Sequence, residues 1–255
     1  MTFNSIRKLS NAGGVVEEIS PYFLAFLLTL SQPSACQELN TYFINYKAST
    51  GFASAFATRS FSKVTTNSYE LLNTIEVSVA AQSLMSMKER SRVTLSDSQL
   101  IPLSYSMRQT GFKEKLESIE FDWVQSTATI SSGKRYRKVK IEGEIFDKLS
   151  HQLNIHSYIK QNTNQISFNI IDESRIQKYQ YSVLGNEDIE TPLGEFPTIK
   201  IKRTLPDDTS RSIVFWLSSE WEGVLLKMSQ VINGAITVNF EIQEGRINGE
   251  SVIGK

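Results

Sequence analysis

Cysteine is almost absent: the 255 residues hold one, Cys36. No disulfide can form within the chain, so its stability has to come from the core. A surplus of charge is absent as well. Lys+Arg 27 balance Asp+Glu 27, which removes the basic excess that binding to a phosphate backbone draws on, and with it nucleic acid as a partner. No apolar run reaches the roughly 20 residues that a helix needs to span a bilayer. With 6 prolines and 13 glycines spread along the chain, there is no linker of the kind that separates domains.

A coherent catalytic set is missing too. There is no Gly-rich phosphate loop and no Gly-x-Ser-x-Gly elbow. Ser-x-x-Lys occurs at Ser60 to Lys63 and at Ser157 to Lys160, and Ser167-Phe168-Asn169 mimics a second motif of the penicillin-recognising enzymes. The first lies in an alternating stretch, the second lies near the end of a helix, and no Lys-Thr-Gly follows. His151 and His156 stand five apart, whereas a helical zinc pair needs four to share a face; they read as surface or helix-end residues. Glu187 and Asp188 read as turn residues, too open for a general acid. The chain therefore reads as non-enzymatic, with no catalytic residue, metal or cofactor.

What is present is a period of two, supported by 40% hydrophobic residues. Tyr42, Ile44 and Tyr46 alternate with Phe43, Asn45 and Lys47; Ile75, Val77 and Val79 alternate with Glu76 and Ser78. "FASAFATRSFSKV" at 52–64 reads as two closely packed strands. Ile119, Phe121 and Trp123 share one face, and further strands begin at Gln165, Lys178, Thr198, Arg211, Val224 and Ala235. "SSGKRYRKVKI" reads as a hairpin tip at Ser132-Gly133 leading into a basic strand. That strand either projects into solvent or meets anionic headgroups near a membrane. Between Glu144 and Gln161 the period changes to four, with Ile145, Leu149, Leu153 and Ile159 on one stripe and Asp147 placed to cap the first turn. Pro192 and Gly194 make a turn between two strands, with Gly194 at positive φ and the Lys/Arg residues beyond it facing outwards. The fold class is mainly β: a curved antiparallel sheet of about ten or more strands, forming a barrel or half-barrel, with one amphipathic helix packed on it.

The N-terminal part reads differently. "YFLAFLLTL" at 22–30 has the length of a signal-peptide core, and "SQPSACQE" after it supplies small residues for cleavage. Residues 1–36 are thus expected to be a signal peptide and 37–255 a single β-rich domain, with a tail that frays after about 244. Two readings of Cys36 stay open. It lies at the cleavage site of a periplasmic protein, or it is the lipid attachment residue of an outer-membrane lipoprotein, although Pro33 stands where such sites usually carry leucine.

One segment carries a family resemblance. "YQYSVLGNEDIETPLGEFPTIKIKRTLPDDTSRSIVFWLSSEWEGVLLKMSQ", Tyr179 to Gln230, resembles the bacterial Domain of Unknown Function 3108 family in its Tyr-x-Val strand, Gly185, Glu187, "TPLG" at Thr191 to Gly194, Lys200, Arg203, Arg211 and "FWL" ending at Leu217. "FDW" at Phe121 to Trp123 and "DKLS" at Asp147 to Ser150 are similar to it too, while Gly223-Val224-Leu225 departs where a Leu-Pro step is expected. The resemblance implies an exported protein of a Gram-negative envelope with curved antiparallel sheets and no established activity. The expected role is then a non-enzymatic envelope module that binds an apolar ligand, a lipid or acyl chain, or a protein partner. A hydrolase of an envelope polymer and a structural assembly factor are the alternatives. Phe121, Trp123, Tyr181 and Phe215 are expected to line one concave, ligand-binding surface, either filled by the helix or left partly open.

Overall fold

The computed structural model of the chain describes residues 39–255, except for 51–52, 81, 97–98, 162, 174, 205–211 and 233–235. Residues 1–36, read as a signal peptide, lie outside the described residues, and so does Cys36.

Short polar turns between alternating stretches dictate hairpins, and the chain makes them one after another. The first meander holds β1 (Tyr42–Thr50), β2 (Ala53–Lys63), β3 (Ser68–Val79), β4 (Gln82–Ser96), β5 (Gln99–Gly111), β6 (Lys115–Asp122), β7 (Thr127–Ser132) and β8 (Arg135–Lys140). The only described helix, α1 (Ser150–Lys160), follows. The second meander holds β9 (Gln165–Asp172), β10 (Arg175–Thr191), β11 (Gly194–Thr204), β12 (Ser212–Ser218), β13 (Leu225–Ile232) and β14 (Ile236–Ile247), with a short β15 (Glu250–Ser251) beside β14. The two arms join where β1 pairs antiparallel with β14, from Tyr42↔Ile247 to Lys47↔Glu241, so one sheet runs β8 to β1 and then β14 to β9. A sheet this wide must curl because twist accumulates with every strand. The expected mainly β, curved antiparallel half-barrel is therefore what forms. "FASAFATRSFSKV" contributes one long strand, β2, and not two, because its register with β3 runs unbroken from Ala53↔Val79 to Lys63↔Tyr69.

The curl gives the two side-chain parities different fates. Ile44, Tyr46, Ala57, Phe61, Leu71 and Ile201 are buried on the concave side. On the convex side a ladder of opposite charges crosses the second arm. Glu187 pairs with Lys200 at 2.7 Å, Lys200 and Lys227 flank the ring of Trp216, and Lys227 pairs with Glu241 at 3.1 Å. Glu187 and Asp188 thus lie within β10, not in a turn, and the ion pair with Lys200 holds the Glu187 carboxyl below its ordinary pKa.

The ends of the sheet, β8 and β9, do not pair with each other. The chain between them closes the gap. Phe146 sits beside β9 in a parallel bridge, its N–H donating to Asn169 O at 2.9 Å and its own carbonyl accepting from Ile171 N at 2.9 Å. Lys148 Nζ then joins the arms, 3.1 Å from Glu117 of β6 and 3.3 Å from Asp172 of β9. Asp147 caps the turn that enters α1, as its position in the sequence predicts: Oδ1 accepts from Leu149 N at 2.8 Å and from Ser150 N at 2.9 Å.

The helix itself is shorter and rotated relative to the expected stripe. Ile145 and Leu149 are buried, but in the lead-in; the buried face of α1 is Ser150, His151, Asn154 and Ile155. This polar face is satisfied by hydrogen bonds to both arms. Asn154 Nδ2 donates to Leu100 O and its Oδ1 accepts from Leu100 N, while His151 bonds Tyr181. His151 is therefore a core residue, 1% exposed, and not a surface histidine.

The tail is also ordered, contrary to the expected fraying after 244. β14 continues to Ile247, Val252 is buried, and Lys255 exchanges backbone hydrogen bonds with Glu195 at 3.0 and 3.1 Å. This contact explains the turn at Pro192 to Gly194. Gly194 has φ 113, and a Cβ there would meet Gly254 C at 2.8 Å and Lys255 O at 2.9 Å. Gly194→Val is expected to destabilise by about 2–3 kcal/mol through the left-handed backbone and the displaced tail together. Urea unfolding checks this, and a midpoint equal to the parent's would refute the assignment.

Candidate functional site

Between the helix and the concave side of the sheet lies a cavity of about 320 Å³. The sequence makes this space locally. On β2 the inward positions carry Ala55 and Ala57 before Arg59, so small side chains stand where neighbouring strands present larger ones. Ile75, Met87, Phe215, Met228 and Phe240 supply apolar walls from five other strands.

The polar groups of the cavity are the more informative part. Ile44, Arg59, Asn73 and Glu89 sit at one level across β1 to β4, each opposite the next. Glu89 is fully engaged, Oε1 accepting from Tyr105 OH at 2.7 Å and Oε2 from Asn73 Nδ2 at 3.2 Å. Burial and the Glu89 charge push the Tyr105 hydroxyl well above its ordinary pKa, so it stays a donor. Lys148 is engaged by Glu117 and Asp172. Arg59 is different. It is 7% exposed, donates from Nε to Tyr42 OH at 3.3 Å and from Nη1 to Gln152 Oε1 at 2.8 Å, and has no carboxylate within ion-pair distance among the described residues. Burial works against this charge, but its surroundings, Tyr42 and the Glu89 carboxylate in the same row among them, outweigh that and hold the guanidinium protonated without a direct ion pair.

A second guanidinium faces the same space from the other arm. Arg203 of β11 lies over the ring of Tyr179, with Cζ 3.4 Å from its centroid, and its Nε is buried without a hydrogen-bond partner. Tyr179 OH donates to Asp172 Oδ2 at 2.7 Å. The nearby imidazole of His151 is fixed as one tautomer: Asp147 O can only accept, so Nδ1 carries the proton (3.1 Å), and Nε2 accepts from Tyr181 OH (2.7 Å). Burial lowers the His151 pKa to about 3, leaving the ring neutral.

Of the residues expected to line a concave site, Tyr181 and Phe215 do line the cavity, with ring centroids 6.2 Å apart. Phe121 and Trp123 lie elsewhere. Trp123 is past the end of β6, in the turn to β7, where its Nε1 donates to Pro102 O at 2.7 Å and its ring stacks on Phe121 at 5.9 Å. Arg59 and Arg203 were not foreseen, and Arg203 is not in the outward row with Lys200. Both were detectable by phase. Arg59 shares the parity of Ala55, Ala57 and Phe61, and Arg203 that of Ile199 and Ile201.

A curled, unclosed antiparallel sheet around an internal cavity defines a β-barrel-like protein. The chain belongs to the family described as Protein of unknown function (DUF3108), whose model matches residues 41–241. No curated protein matches it. Among solved structures it is similar to a β-barrel-like protein of Domain of Unknown Function DUF1849 from Brucella abortus, with 11% identity, a TM-score of 0.56, and coverage of 82% of this chain and 98% of that one. A candidate exported protein with a YmcC-like fold from Bacteroides fragilis aligns at 14% identity and a TM-score of 0.34, over 83% of this chain and 96% of that one. A candidate lipoprotein from Parabacteroides distasonis aligns at 11% identity and a TM-score of 0.30, over 85% and 96%. The first likeness concerns the fold alone.

Proposed function

We propose that the chain is a non-enzymatic binding module of the cell envelope that takes an apolar ligand, such as a single acyl chain, into the cavity between α1 and the sheet. The observation that carries this reading is the cavity itself: about 320 Å³ with largely hydrophobic walls, bounded by both arms. That volume falls within the range of small-molecule sites, roughly 300–1,000 Å³. The envelope assignment rests on the apolar run at 22–30 and the small residues before Cys36. Either a periplasmic or a lipid-anchored form fits it, and the mass of the mature N-terminus distinguishes the two.

The test uses N-phenyl-1-naphthylamine, an uncharged apolar probe that fluoresces when it leaves water. The parent protein is expected to enhance its emission saturably. Ala57, opposite Tyr46 and Ile75 on the adjacent strands, borders the cavity. Ala57→Phe should fill that space and weaken probe binding at least about tenfold, with the fold retained by far-ultraviolet circular dichroism. A parent that gives no enhancement, or an Ala57→Phe variant that binds equally well, would refute the proposed site.

A further inference from the structure

We propose that the ligand of this cavity is a single-chain amphiphile with an anionic head, whose oxygen atoms pair with the guanidiniums of Arg59 and Arg203 while its hydrocarbon lies against Phe215, Met228 and Phe240. This rests on the cavity's being a ligand site, as above, and adds the chemistry of the head. Arg59 is more than nine-tenths buried and its described hydrogen-bond partners, Tyr42 and Gln152, are neutral. Arg203 borders the same cavity, has a ring and no described carboxylate against it, and keeps a buried Nε without a hydrogen bond. Of the other charges at the cavity, Lys148 is paired with Glu117 and Asp172, while Glu89 accepts from the neutral Tyr105 and Asn73 and leaves the two guanidiniums in excess of it by one charge. Two guanidiniums that approach one space from opposite arms are suited to clasp a planar carboxylate, because each presents a fork of donors. A neutral or cationic head would leave both guanidiniums without a direct ion-pair partner. The volume of about 320 Å³ suits one hydrocarbon chain, and the head that fits it is that of a fatty acid or a similar single-chain anion.

Competition against N-phenyl-1-naphthylamine at pH 8, below micelle formation, separates the two levels of this proposal. Dodecanoate is expected to displace the probe at least tenfold more effectively than dodecanol, and dodecylammonium to be weaker than either. Arg59→Met combined with Arg203→Met should bring dodecanoate and dodecanol to within about twofold. Glu89→Gln, which removes the nearby acid, should strengthen dodecanoate further. The ligand series on the parent protein keeps the test decisive even where the double variant does not fold. If the probe binds but dodecanol competes as well as dodecanoate, the anionic head is refuted and the apolar cavity stands. If the probe does not bind at all, the reading on which this rests falls first.

Discussion

Glu117→Ala is expected to cost about 3 kcal/mol, the lower end of the roughly 3–5 kcal/mol associated with breaking a buried ion pair. Glu117 is 1% exposed; its Oε2 lies 3.1 Å from Lys148 and 3.6 Å from Lys115. Removing the carboxylate leaves Lys148 held by Asp172 alone, which keeps the loss from being larger. The residue also belongs to the join between arms that no strand pairing closes, so its loss acts on both. For a chain of this size the expected fall in melting temperature is about 10 °C. Glu142→Ala is the matched control, because its partner Lys140 is well exposed and such pairs contribute little. Equal melting of the two variants would show that the charges at the seam are dispensable.

Acid should also destabilise the protein through His151. Its imidazole is buried and neutral, with a pKa lowered from 6.5 to about 3. Between those values the unfolded chain binds a proton that the folded chain does not. Stability therefore falls as the pH drops from 6.5 towards 3, at up to about 1.4 kcal/mol per pH unit, or about 2.5 kcal/mol by pH 4.5. Asp147 works in the opposite sense. Burial outweighs its hydrogen bonds and raises its carboxyl pKa, so the stability it contributes by holding a proton is lost as the pH rises through that value. The measurement is the difference in unfolding free energy between the parent and His151→Gln from pH 4.5 to 8. The parent's advantage should shrink below pH 6.5, and parallel profiles would exclude His151 as the titrating group.

Much of this architecture was legible in the alternation of apolar residues, because a half-buried strand has to show it. Tyr42, Ile44 and Tyr46 or Ile166, Phe168 and Ile170 leave little choice of face. The turn at Gly194 and the cap at Asp147 were legible for an equally local reason, since each depends on a few neighbouring residues. The helix departs from its sequence pattern where long-range contacts take over. An apolar stripe through Leu153 and Ile159 suggested a hydrophobic face, yet the buried side carries His151 and Asn154, whose partners Tyr181 and Leu100 are distant in sequence. Parity with Phe121 puts Trp123 in a strand, yet β6 ends one residue earlier. For Arg59 and Arg203 the phase pointed inwards, but charge suggested solvent. A charge on an apolar face is the kind of exception that marks a site, because folding alone gives no reason to keep it there.

The pairing of β1 with β14 has a consequence for the order in which the fold can form. Every other ladder among the described strands joins strands that follow one another in the chain. This one joins residues about as far apart as the domain allows, Tyr42 with Ile247. A chain that emerges from its N-terminus can build the first meander hairpin by hairpin, yet one edge of β1 stays unpaired until nearly the last residues arrive. An open edge beside such inward residues as Ile44 and Tyr46 offers a template for association with other chains. Completion of the sheet thus waits on a non-local and entropically slow closure, and the nascent protein has to be kept apart from its own copies until β14 takes its place.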